Sequence, residues 1–173
     1  MSRASSFVLL AGWLVGCSLY PVPVRGVPTD APWFALPLGE WLGEDRAEPE
    51  AVAACRPPEC RPGLVVSVVR ITGPDAVVAA GILSDPRPLA RALQEPQSGE
   101  PSRTAVALEP LAEGAASGFV IALARRDGGR RAAYGAALGR PAGDGLRLVL
   151  AIGEDPRAVE EAARRVARQH LGA

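Results

Sequence analysis

The chain has 173 residues and 17.9 kDa, 48% of them apolar and 22% charged, with 19 Gly, 17 Pro and 3 Cys. That is the scale of one small domain with appendages and excludes two large domains. All 19 basic residues are Arg and they match 19 acidic residues, so the formal charge is zero and no global field draws the chain to nucleic acid.

Met1 to Ser6 is polar with one charge, Arg3, and is followed by the apolar run Phe7 to Gly16 and then Cys17. A helix of this run rises only about 15 Å, half the hydrocarbon thickness, which fits the core of a signal peptide and not a permanent span. Leu14-Val15-Gly16-Cys17 resembles the lipobox of bacterial lipoproteins. The resemblance implies a diacylglyceryl group on the Cys17 sulfur, cleavage after Gly16, and acylation of the new amino group, with palmitate the expected kind of chain. Two or three acyl chains anchor stably where one is marginal. Ser18, where retained inner-membrane lipoproteins often carry Asp, implies sorting to the outer membrane, facing the periplasm. An unlipidated secreted protein is the alternative. Residues 1–16 are then the signal peptide, 17–62 the lipidated Cys and a tether, and 63–173 a single domain.

Pro21, Pro23, Pro28 and Pro32 make the start of the tether an extended spacer. Trp33, Phe34 and Trp41 make the next stretch too apolar for plain linker: it either completes the core or is an exposed docking segment. Residues 43–63 are polar and Pro-rich, and are expected to form a second connector. Within it Cys55 and Cys60 frame Arg-Pro-Pro-Glu, which in an exported chain reads as a disulfide closing a small loop, worth roughly 2 kcal/mol. A thiol redox site is the competing reading, and zinc lacks further soft ligands nearby.

Leu64 to Ile71 is predicted as a strand, and Ala76 to Leu83 as a second that pairs with it in a hairpin. Asp85-Pro86 is a helix start, with Leu89, Ala92 and Leu93 as the apolar stripe. The Pro- and Ser-containing stretch from Glu95 to Arg103 ends that helix as a loop. Thr104 to Leu108 and Gly118 to Arg126 are strands. Asp127-Gly128-Gly129 supplies a tight turn to a returning strand, Arg130 to Leu138. Leu146, Leu148, Leu150 and Ile152 share one face of a last strand, with Arg147, Val149 and Ala151 on the other. Asp155-Pro156 opens a final helix to about Leu171, striped by Val159, Ala163, Val166 and His170. Glu160 with Arg164, and Glu161 with Arg165, are expected surface pairs on that helix. The class is α+β: an antiparallel sheet of about six strands with two helices packed on one face. The element order from 118 to 170 resembles lipoprotein domains of the PsbP-like kind, which implies a non-enzymatic binding or assembly module and carries no site residue over.

Chemistry-bearing groups are few. His170 reads as a helix-end cap or an edge-of-core residue, and Glu109 and Glu113 as solvated carboxylates or a potential acid pair. No metal or cofactor motif is present. Arg125, Arg126, Arg130 and Arg131 surround a hairpin tip that either holds a phosphate or carboxylate or simply keeps the edge solvated. The resulting expectation is a periplasmic lipoprotein without catalytic activity. It is held to the bilayer by acylated Cys17, and it binds or assembles with an envelope protein or an anionic envelope component, with no nucleic acid partner. The alternative is a carrier of a small apolar ligand between sheet and helices.

Overall fold

A computed structural model describes residues 25, 34–35, 47–55, 63–95, 104–126 and 132–172. In chain order the elements are β1 (Phe34–Ala35), β2 (Ala47–Cys55), β3 (Leu64–Thr72), α1 (Gly73–Ser84), α2 (Arg87–Gln94), β4 (Thr104–Glu113), β5 (Ala116–Arg125), β6 (Ala133–Ala142), β7 (Gly145–Gly153) and α3 (Pro156–His170). The strands form one sheet in the order β1-β2-β3-β7-β6-β5-β4, and all neighbours are antiparallel. The fold is α+β, as expected, with helices packed against an antiparallel sheet. It has six long strands and the two-residue β1.

The helices do not share one face. Val66 and Val68 of β3, Leu138 of β6 and Val149 and Ala151 of β7 pack against α3, whereas Val69, Leu146, Leu148, Phe119 and Ile121 pack on the other side with Ala76 and Leu83 of α1. The alternation expected along β7 is therefore real, but both of its faces are apolar and central, so each needs its own helical layer.

Ala76 to Leu83 is helical, not the second arm of a hairpin. The chain leaves β3 at Thr72, turns at Gly73 (φ +65°), and enters α1 with a Pro in its first two positions and Asp75 in its first turn, a helix start by composition. Its apolar run has no stripe to betray it: Val77 and Val78 are 74% and 60% exposed while Ala76 and Leu83 are buried. Apolar on all sides, such a segment reads equally well as a strand. In α2, Leu89 packs on the core, while Ala92 and Leu93 of the expected stripe are exposed.

The connector expected over 43–63 contains β2. Ala51, Val52, Ala53, Ala54 and Cys55 are all buried, and their small side chains suit a strand covered on both sides. A register shift between Pro49 and Ala51 takes Glu50 out of the regular ladder, as a bulge does. The expected pairing of Cys55 with Cys60 reaches a residue, Cys60, that lies outside the described residues; Cys55 itself is buried at the end of β2. The strand ladder from Cys55↔Leu64 to Ala47↔Ile71 closes this hairpin.

The terminal helix follows the sequence closely. The Asp155 carboxylate accepts from the Ala158 N–H at 2.8 Å, and Val159, Ala162, Ala163, Val166 and Ala167 are buried. Their small size lets the helix sit close on the sheet. The pairs Glu160–Arg164 and Glu161–Arg165 both form.

Candidate functional site: an open strand edge beside α2

Among the described residues β4 is the last strand of the sheet, longer than expected, and it carries both Glu109 and Glu113 within it. Three observations fix which of its backbone groups face outward. Pro110 has no N–H and is tolerated in a sheet only where that position points away from a neighbour. The Ala112 carbonyl accepts from the Arg164 guanidinium, so it too points away from β5. Glu113 and Ala116 close a turn of two residues, Gly114 and Ala115, with Gly114 at φ +54°, and the closing pair of such a hairpin exchanges ladder hydrogen bonds. Even-numbered residues of β4 thus direct their N–H and C=O groups off the sheet, and Val106 and Leu108 are among them.

Val106 and Leu108 also line a trough of about 670 Å³ whose other wall is α2, through Ala90, Arg87, Arg91 and Gln94, with Asp85 at the α1–α2 junction. A second trough of about 270 Å³ adjoins it, sharing Asp85, Arg87 and Leu108 and extending to Glu109, Pro110 and Gly118. The Asp85 carboxylate accepts from the Arg87 guanidinium at 2.7 and 2.9 Å and from its backbone N–H at 3.2 Å. The guanidinium bond, more than any other influence, holds the Asp85 pKa below the ordinary carboxylate value. Arg87 is therefore satisfied within the chain. Arg91 lines the same trough and makes no ion pair with a described residue.

The opposite end of the sheet is framed by arginines. Arg70, Arg147 and Arg140 are cross-strand neighbours on β3, β7 and β6, an arrangement that like-charge repulsion disfavours unless anions intervene. Arg147 donates through Nε to Glu50 at 2.7 Å, again to Glu50 through Nη2, and through Nη1 to the His170 carbonyl at 2.7 Å. Arg70 donates to Asp144 at 2.9 Å and Arg140 to the Gly172 carbonyl at 3.3 Å. The row thereby satisfies carbonyls at the C-terminal end of α3, where the helix dipole favours cations. His170 accepts at Nε2 from the Arg25 N–H at 3.1 Å, and burial, then Arg147, push its pKa below the ordinary value. It is a helix-end residue, as expected.

The sequence-derived candidates fall out unevenly. Glu109 and Glu113 are four positions apart on one strand, about 13 Å, and do not form a pair. Glu113 is clasped by Arg168 at 2.8 Å and Arg164 at 3.2 Å, which hold its pKa down, Arg168 most strongly, the reverse of a raised general acid. Arg125 ends β5 opposite Thr104, and Arg126 is exposed just beyond it. Arg130, Arg131, Trp33, Trp41, Cys17 and Cys60 lie outside the described residues, and Phe34 is described only as backbone paired with Ala54 in β1. No cluster of three or more His, Cys, Asp or Glu able to hold a metal is present among the described residues. The trough residues Arg91, Val106 and Leu108 had not been singled out: Val106 and Leu108 alternate as a half-buried strand should, but nothing local marks β4 as an edge or places α2 over it.

No family model, no curated protein and no solved structure matches the chain.

Proposed function

We propose that this is a lipid-anchored binding or assembly module of the bacterial cell envelope, without catalytic activity, tethered through acylated Cys17 and presenting the β4–α2 trough to a partner. The observation that carries this reading is the trough's position. Arg25, at the α3 end of the sheet, is eight residues from Cys17, so the chain between them spans at most about 27 Å. Arg147, beside His170, lies level with the Glu113 end of β4, by the registers Arg147↔Arg140, Gly139↔Ser117 and Ser117↔Ala112. From Glu113 to Val106 is seven positions along the strand, about 24 Å. An acylated Cys17 would hold the arginine-framed end toward the bilayer and leave the open edge reaching away from it.

The troughs open along a strand edge, which favours a partner that lies along the surface over an apolar ligand carried within. The test is the mass of the mature amino terminus together with membrane fractionation. Acylated Cys17 as first residue, and release to the soluble envelope fraction by Cys17→Ser, are the expected results. An unmodified start downstream of Cys17 overturns the anchor. Site-specific photocrosslinking in cells tests the binding role. Partner adducts from α2 or β4 positions support it, and no adducts from any surface position count against it.

A further inference from the structure

We propose that the trough is a strand-addition site: an extended acidic peptide of the partner pairs with the outward backbone groups of Val106 and Leu108 and sets a carboxylate against Arg91. This rests on the binding reading above and specifies its partner chemistry. Val106 and Leu108 offer four outward backbone groups, one N–H and one C=O each, in the positions that antiparallel pairing uses. Their side chains stand two apart on one face and are half-buried. They form with Ala90 an apolar floor against which alternate side chains of an added strand would pack.

The chain itself limits where addition can occur. Pro110 interrupts any ladder at that position, and Arg164 occupies the Ala112 carbonyl, so pairing is confined to the half of β4 before Glu109. That half is the cationic one. Arg91 lines the trough, and Arg126 is exposed just past the end of β5. Asp85 is already taken by Arg87. An acidic strand complements this rim. A second copy of the chain, pairing its own β4 here in antiparallel fashion, would bring like arginine rims together, which costs affinity.

The full chain carrying Cys17→Ser, and so without lipid, is titrated with a synthetic extended peptide whose alternate, trough-facing positions carry two Val and then a Glu, its Lys-for-Glu counterpart, and a form methylated on the amides that would enter the ladder. Amide exchange and chemical shifts of Val106 and Leu108 are read throughout. The expected result is protection of those two amides by the acidic peptide, with loss of binding on methylation. Arg91→Glu should weaken the acidic peptide by about tenfold and favour the Lys peptide. The proposal is overturned by any of four results: no protection at millimolar peptide, equal binding of the methylated form, an unchanged charge preference in Arg91→Glu, or peptide-free dimerisation that protects the same amides. The methylated peptide leaves the protein untouched, so its result cannot be confused with misfolding. Photocrosslinks in cells from another face, with no peptide response here, would leave the binding role standing and remove only the strand addition.

Discussion

A chain that begins at Gly63 should not fold into a stable domain. Such a truncation removes β2, which pairs with β3 over nearly its whole length, and with it five consecutive buried side chains, Ala51 to Cys55. Burial of Val52 contributes about 2 kcal/mol and each small neighbour about 0.8 kcal/mol, so the strand's own side chains supply about 5 kcal/mol. The further loss of cover over Val66 and Val68, both fully buried, adds to this. Since a domain of this size has a net stability of about 5–15 kcal/mol, the truncated chain is left marginal or unfolded. It also exposes β3, a Val-rich strand, as a new edge prone to association. The assay compares residues 18–173 with residues 63–173 by urea unfolding, followed by circular dichroism and the dispersion of amide resonances. A cooperative transition in the shorter chain within about 1 kcal/mol of the longer one would refute the reasoning and move the domain boundary back to residue 63.

Two glycines should respond oppositely to the same change. A Cβ on Gly118 would lie 1.9 Å from the Ala137 carbonyl oxygen, whereas one on Gly81 meets nothing within 4 Å. Gly118→Ala should cost about 2 kcal/mol or more by prising β5 from β6, while Gly81→Ala, inside α1, should stabilise by about 0.5–1 kcal/mol. Thermal melts of both variants check the sign. Leu138→Ala, at a position with no exposure between sheet and α3, should lose about 3 kcal/mol. Val77→Ala, on the exposed side of α1, should change stability by under about 0.5 kcal/mol, and urea midpoints decide both. Stability should also fall with acid in two steps. The folded His170 pKa lies below its ordinary value of 6.5, so the unfolded chain takes its proton first, and stability is lost as pH falls from about 6.5 through the folded value. Glu113, also depressed, from 4.5, contributes stability that is present above about pH 4.5 and lost as pH falls through its folded value. Unfolding free energy measured against pH should lose its upper step in His170→Gln and its lower contribution in Glu113→Gln.

Local chemistry made part of this fold legible. The Asp155-Pro156 start and the small apolar stripe of α3, the alternation along β7 and the strand at Leu64 each depend on neighbours a few residues apart, where period and capping act directly. α1 escaped because a run apolar on all sides carries no period, and its helix was decided by what Ala76 and Leu83 could bury. β2 escaped because its acidic, Pro-bearing entry resembles linker, and only pairing with β3 gives its small residues a place. The candidate site was the least legible part. Arg91 sits on a different element from Val106 and Leu108, and all three are unremarkable in composition.

By itself the sequence determined the α+β class, the long terminal helix and the alternation along β7, since these are written in the periods and caps of contiguous residues. The tertiary structure decided that helices cover both faces, that β7 is inserted between β3 and β6, and that β4 is left as an edge beside α2. Strand order is set by contacts between residues distant in the chain. Which backbone groups remain open to a partner is therefore a property of the assembled sheet and not of any one strand.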